Sequence, residues 1–220
     1  MINANANVGL MTYGNTLALL HMDGSNGGTT FTDSTGYQTW APTSATTSTA
    51  QQKFGSASFS LETITPNPKI TSSVAIPLLG SFTIEFWFYF VAAPASYAYF
   101  VTTGTNDFDL GIIWNQSAGR FEMYSNNGNS YNFISHAQPT TGSWHHFAWS
   151  YDRTTHRVFY DGSLLTNSLT GSFVAPNRTF ILGSTNGTNE TEGYMDEFRI
   201  SRIPRYTEAF TPSASAFTLD

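Results

Sequence analysis

The 220-residue chain contains no cysteine, which removes disulfides, zinc–thiolate centres and thiol catalysis in one step. It is also short of charge: Asp, Glu, Lys and Arg make up 11% of residues, against roughly 25% in ordinary soluble domains. Nine Lys plus Arg stand against fifteen Asp plus Glu, a net charge of -6, and no basic run occurs anywhere. Phosphate neutralisation needs a concentrated cationic face, so nucleic acid is not an expected partner. The longest strongly apolar stretch, residues 84–93, is about half a bilayer span and carries Glu85, so no membrane insertion is expected. The first fourteen residues have neither the basic n-region nor the apolar core of a signal peptide, and the expectation is soluble synthesis with any export by another route. Missing, too, is any sustained 3.6-residue period with caps, which leaves almost no helix to expect.

What is present is aromatic: 18 Phe, 11 Tyr and 5 Trp, 15% of the chain, a composition opposite to that of disordered segments. Short β-branched and aromatic runs alternate with clusters of Gly, Asn, Asp, Ser and Thr, the pattern of strands and turns. Strands are expected over 16–22, 56–61, 70–76, 82–91, 97–103, 108–115, 120–125, 131–136, 144–152, 157–161, 178–183 and 194–201. Twelve such strands exceed what one open sheet holds without curling, so the fold class is all-β with two stacked sheets. In 82–91 the residues Ile84, Phe86, Phe88 and Phe90 share one face, and Thr83, Glu85, Trp87 and Tyr89 share the other. The second face is too aromatic for solvent and must be covered or concave. Tyr160-Asp161-Gly162-Ser163 carries the Asp-Gly pair that tight hairpins favour. Residues 39–52, rich in Thr, Ser and Ala, read as a long polar loop. Residues 1–15 read as an arm and 204–220 as an extended tail, with the domain between them at 16–203.

Several segments resemble a known family in order and spacing. Trp144-His145-His146-Phe147-Ala148-Trp149-Ser150-Tyr151-Asp152, followed by Val158-Phe159-Tyr160-Asp161-Gly162, is similar to the tryptophan–histidine strand and Tyr-x-Asp-Gly hairpin of laminin-G-like domains. These domains belong to the concanavalin A-like lectin and glucanase superfamily. Asp196-Glu197-Phe198-Arg199-Ile200 resembles the closing strand of that family, and Leu19-Leu20-His21-Met22-Asp23-Gly24 its opening strand. Ser201-Arg202, with Arg205-Tyr206-Thr207 and Phe210-Thr211-Pro212, resembles the version common in bacteriophage structural proteins. The resemblance implies a jelly-roll β-sandwich of two antiparallel sheets, one of them concave.

The resemblance also sets opening and closing strands side by side, which implies a structural calcium between Asp23 and Asp196. The alternative is that Asp23 caps its own turn and Asp196 accepts backbone amides. Glycan binding needs flat rings for stacking and planar amides for hydroxyls. Trp87, Tyr89, Trp114, Tyr124, Tyr131 and Trp40 supply rings, and Asn115 and Asn127 supply amides; against this, such rings in an all-β domain usually pack inside. Hydrolysis lacks the Glu-x-Asp-x-x-Glu strand of sandwich glucanases, and the acidic clusters at Asp107/Asp109 and Glu190/Glu192 lie by Asn- and Gly-rich loops. His145 and His146, adjacent on a strand, face opposite sides and cannot share an ion. The functional expectation is a non-enzymatic virion protein, decorating a phage capsid or sitting on a tail. Its arm and tail would contact other virion proteins, and it would form a closed homo-oligomer able to adhere to host-surface glycans. The alternatives are a carbohydrate-binding adhesin module at a bacterial cell surface and, last, a glycan hydrolase.

Overall fold

The computed structural model describes residues 14–62, 67–104, 110–125, 130–165, 169–170, 178–183 and 191–220. Sixteen strands, and no helix among the described residues, build it. They are β1 (Thr16–Leu20), β2 (Trp40–Thr43), β3 (Thr47–Ser48), β4 (Ser58–Ser60), β5 (Lys69–Ser72), β6 (Phe82–Phe90), β7 (Tyr97–Thr103) and β8 (Leu110–Asn115). The second half adds β9 (Arg120–Ser125), β10 (Ser130–Ser135), β11 (Trp144–Tyr151), β12 (Thr155–Tyr160), β13 (Ser163–Leu164), β14 (Leu169–Thr170), β15 (Phe180–Gly183) and β16 (Gly193–Ser201). The nine-stranded sheet runs β13-β12-β11-β6-β16-β4-β3, with β1 on β16 and β14 on β12. The seven-stranded sheet runs β10-β9-β8-β7-β15-β5-β2. The paired strands are antiparallel, as the jelly roll requires.

The twelve expected strands are all present, with ends that differ by up to two residues except for 70–76, whose strand stops four residues earlier, at Ser72. Residues 39–52 are a correction. They form β2 and β3, because an edge strand needs backbone partners more than apolar side chains. Trp40 and Thr47 turn inward while Ala41, Pro42 and Thr43 stay exposed. Pro42 is tolerated because this is an edge.

The core lies between the sheets. Phe82, Ile84, Phe86, Phe88 and Phe90 of β6 are fully buried there, meeting Phe100 of β7 (ring centroids 4.8 Å from Phe88) and Phe147 of β11 (5.4 Å from Phe86). Each such ring contributes about 2 kcal/mol by leaving water. The Asp161-Gly162 turn has both residues at positive φ, 47° and 77°, the geometry that a two-residue hairpin twist requires.

The opposite face of β6 is covered, as its aromatic content demanded, and the cover is the C-terminal tail. Residues 204–220 cross this face in extended form. Tyr206 stacks on Phe210 at 3.6 Å and donates its hydroxyl to Glu85 at 2.8 Å. The Phe210 amide donates to the Gly162 carbonyl, and the Phe217 amide to Glu197 Oε2 at 2.7 Å. Asp220 accepts from Arg205 (2.6 Å) and Thr16 (2.7 Å), tying the tail to β1. The tail is thus extended along the surface, with Tyr206, Phe210 and Phe217 engaged on its own domain while Thr207, Glu208 and Leu219 stay exposed. Residues 1–13 of the arm lie outside the described residues.

Candidate functional site

The eight residues expected to bind glycans do not gather in one place. Trp40 (4% exposed) and Trp114 (0%) lie in the core, which corrects their assignment: a ring with no open face cannot stack on a sugar. Their indole N–H groups donate to Asp33 Oδ2 (3.3 Å) and Gln116 Oε1 (2.8 Å). Trp87 is 5% exposed, held under the tail by Phe54, Phe217 and the Lys53 ammonium 3.9 Å from its ring. Tyr89, one strand pair further along, is half-buried. Asn127 lies outside the described residues, as does the side chain of Tyr131, whose backbone pairs with Tyr124.

Asn115 and Tyr124 do meet, on the outer face of the seven-stranded sheet. Strand parity puts Leu110, Ile112 and Trp114 of β8 inside, and Ile113 and Asn115 outside. On β9, Phe121 and Met123 point in, while Arg120, Glu122 and Tyr124 point out. The register places Asn115 opposite Arg120 and Ile113 opposite Glu122. Glu122 is the centre. Its Oε1 accepts from Asn115 Nδ2 (2.9 Å) and Arg120 Nε (2.7 Å), and its Oε2 accepts the Tyr124 hydroxyl. Burial, then this hydrogen bond to a carboxylate, pushes the Tyr124 phenol up from its ordinary value. Tyr99 and Ile113 pack with Tyr124, and Tyr97, 6.1 Å from Tyr99 between ring centroids, is exposed at the rim. The sequence reading missed Arg120, Glu122, Tyr97 and Tyr99. The signal was there in the alternation Arg120-Phe121-Glu122-Met123-Tyr124, which assigns the carboxylate to the tyrosine's side.

The two aspartates expected to share a cation instead hold one loop. Asp196 Oδ2 accepts the Lys53 and Phe54 amides (2.8 and 3.2 Å), and its Oδ1 accepts the Glu197 amide at 2.8 Å. Asp23 Oδ1 accepts the amide and hydroxyl of Ser56. Gly55 between them has φ +65°, and a Cβ there would sit 2.1 Å from Asp23 Oδ1. Burial and the adjacent Glu197 carboxylate push Asp196 up to about 8 against the pull of these amides. Among the described residues no group of three or more His, Asp or Glu side chains is placed to hold a metal. A hard cation takes 6–8 oxygens, and here both Asp196 oxygens and one oxygen of Asp23 are already taken by backbone amides. The residues present do not fit calcium.

His145 and His146 diverge as their spacing requires. His145 bonds Asp161 Oδ2 at 2.8 Å, while His146, fully buried, faces Glu85 and the tail rings of Tyr206, Phe210 and Phe217.

Several solved structures share this fold. The botulinum neurotoxin serotype D ligand binding domain, solved in complex with N-acetylneuraminic acid, matches 87% of this chain with a TM-score of 0.64 at 14% identity. The serotype G binding domain matches 91% with 0.62 at 16% identity. The binding domain of Paraclostridial Mosquitocidal Protein 1 matches 87% with 0.64 at 14% identity. The chain spans about half the length of each, 48%, 49% and 50% respectively. No curated protein matches the chain in sequence. A family model matches residues 64–208, which takes in β5 to β16 and the first stretch of the tail, and the chain therefore belongs to the concanavalin A-like lectin/glucanases superfamily.

Proposed function

We propose that the chain is a non-catalytic carbohydrate-binding module that uses the outer face of its seven-stranded sheet. The observation that carries this reading is the knot of Glu122, Asn115, Arg120 and Tyr124 beside Tyr97 and Tyr99. Sugar recognition needs a ring for C–H stacking and fixed polar groups for hydroxyls; here the open ring is Tyr97, beside the buried Tyr99 and Tyr124, and the buried Glu122 presets the orientation of the half-buried Arg120 before a ligand arrives. A hydrolase needs a second carboxylate across the sugar. Among the described residues the hydrogen-bond partners of Glu122 are an amide, a guanidinium and a phenol. Asp107, Asp109 and Glu190 lie outside the described residues. A glycan array probed with the wild-type chain and with Glu122→Ala tests the reading. A ligand whose binding drops at least tenfold in a variant of unchanged fold supports it; equal binding by both proteins sinks it.

The setting proposed for this activity is a virion that adheres to host-surface glycans as a homo-oligomer, with a bacterial cell surface as the alternative. The closing segment from Ser201 to Pro212 favours the virion through its resemblance to phage structural proteins. The tail is docked on its own domain, so contacts with other virion proteins fall to the arm and the outer surfaces. Quantifying the chain in purified particles by mass spectrometry tests this: a fixed copy number supports it, and absence from particles removes it.

A further inference from the structure

The nine-stranded sheet carries a second polar–aromatic strip, just beyond the edge of the tail. One cross-strand row links Trp144 on β11 to Tyr89 on β6, Tyr89 to Tyr194 on β16, and Tyr194 to Ser60 on β4. Ring centroids are 5.6 Å apart for Tyr89–Trp144 and 6.0 Å for Tyr89–Tyr194. The next two rows inward along β6, at Trp87 and Glu85, lie under the tail at 5% and 0% exposure. In this row Tyr89 and Trp144 are half-exposed. The row ends at a depression of about 330 Å3 lined by Thr29, Pro42, Ser44, Thr46, Ser60 and Glu62. Tyr194 joins platform to depression, because its hydroxyl donates to Glu62 Oε1 at 2.7 Å. Burial, then this bond, pushes the Tyr194 phenol up to about 12, so it remains a donor.

From this arrangement we propose a glycan subsite for a neutral oligosaccharide, stacked on Trp144 and Tyr89 and hydrogen-bonded by Glu62 and the hydroxyls of the depression. Three strand steps of about 4.8 Å separate Trp144 from Ser60, a span suited to several linked rings rather than one. The rings offer apolar faces to sugar C–H groups. A carboxylate accepts up to four hydrogen bonds, and Tyr194 takes one of those on Glu62. Among the described residues the single ionisable group lining the depression is an acid, which repels uronic or sialic carboxylates and selects neutral sugars. The subsite shares its ligand class with the function proposed above but none of its residues, so the two stand or fall separately.

The test uses the full chain and four probes: maltohexaose, cellohexaose, xylohexaose and, as an acidic control, hexagalacturonate. Tryptophan fluorescence and calorimetry follow binding. At least one neutral hexasaccharide is expected to bind, with Tyr89→Ala and Glu62→Gln each weakening it about tenfold. Glu62→Gln keeps the size and position of the side chain, so its effect is readable even if Tyr89→Ala unfolds. No binding of any neutral probe overturns the subsite, as does preference for the acidic control. So does binding lost in Glu122→Ala but kept in Glu62→Gln, an outcome that leaves the opposite face as the site.

Discussion

Replacing Glu85 with alanine removes one acceptor from three donors that hold the tail against its sheet. Arg199 reaches Glu85 Oε1 with Nε at 2.8 Å and Nη2 at 2.7 Å, and Tyr206 and His146 reach Oε2 at 2.8 and 3.3 Å. Once Glu85 is gone, Arg199 (7% exposed) keeps the Thr218 carbonyl at 3.3 Å and the Phe217 ring at 4.2 Å. Deleting one partner of a buried ion pair costs about 3–5 kcal/mol, a large part of the 5–15 kcal/mol typical of a domain. The melting temperature should fall by roughly 10 °C. Titration leads to the same size of effect. Burial alone would raise Glu85, but the His146 hydrogen bond, the Arg199 charge and the Tyr206 hydroxyl outweigh it and hold the carboxyl at about 2, down from 4.5. A group depressed in the fold contributes stability above its unfolded pKa and loses it as pH falls from 4.5 towards 2, here about 3 kcal/mol in all. Urea unfolding of wild type and Glu85→Ala should therefore show a wide gap at pH 7 that narrows near pH 3. Amide exchange should speed up across 204–217 in the variant, and Glu85→Leu with Arg199→Met should recover much of the loss. A pH 7 gap under 1 kcal/mol, or a tail whose protection is unchanged, would refute the reasoning.

Asp196→Asn should flatten the pH dependence of stability. With its folded pKa raised to about 8, Asp196 binds its proton more tightly in the fold, so wild-type stability falls as pH climbs from about 4 towards 8. Calorimetry from pH 5 to pH 9 should show that slope in the wild type and a smaller one in the variant; equal slopes would show that Asp196 ionises freely. Calcium and chelator should leave the melting temperature unmoved, because both Asp196 oxygens accept amides and no third acid joins the pair among the described residues. A calcium-dependent rise that vanishes in Asp23→Asn would restore the ion.

How much of this was legible depended on whether a strand wore its period openly. Phe82 to Phe90 alternates so regularly that its two faces, and the need to cover the second, could be read directly. Leu110 to Asn115 does not alternate: Leu110, Ile112, Ile113 and Trp114 are all apolar, so nothing local assigns Trp114 to the core rather than the surface. Register against β7 and β9 decides it. β2 was hidden because an edge strand is specified by partner backbone on β5, about thirty residues away. The docking of the tail was hidden for the same reason on a longer scale. Tyr206, Phe210 and Phe217 sit among Pro, Ser and Thr, as they would in a loose extension. What fixes them lies elsewhere in the chain: Glu85 for Tyr206, more than a hundred residues earlier, the Gly162 carbonyl for Phe210 and Glu197 for Phe217. The neighbourhood of Asp23 and Asp196 was foreseen, but the loop at 53–56 that comes between them was not.

The scarcity of charge acquires a structural meaning once the acids are located. The chain has fifteen Asp and Glu, and among the described residues five are buried: Asp33, Glu85, Glu122, Asp196 and Glu197. A buried carboxylate is costly unless hydrogen-bonded, and each of these accepts hydrogen bonds from donors elsewhere in the chain. Asp33 gathers Leu19, Thr35, Gln38 and Trp40. Asp196 clamps the loop at 53–56, Glu85 and Glu197 hold the tail, and Glu122 orders the outer face of the second sheet. A sandwich with no disulfide, and no helix among its described residues, must fix long connections by other means. Here acid-to-donor knots do so, and they act in the native state instead of constraining the unfolded one as a disulfide does. The same choice thins the charge left for the surface, so copies of the chain repel one another weakly. Stability and surface behaviour are therefore coupled through the same residues: moving one of these acids outward would loosen a connection and charge the exterior together.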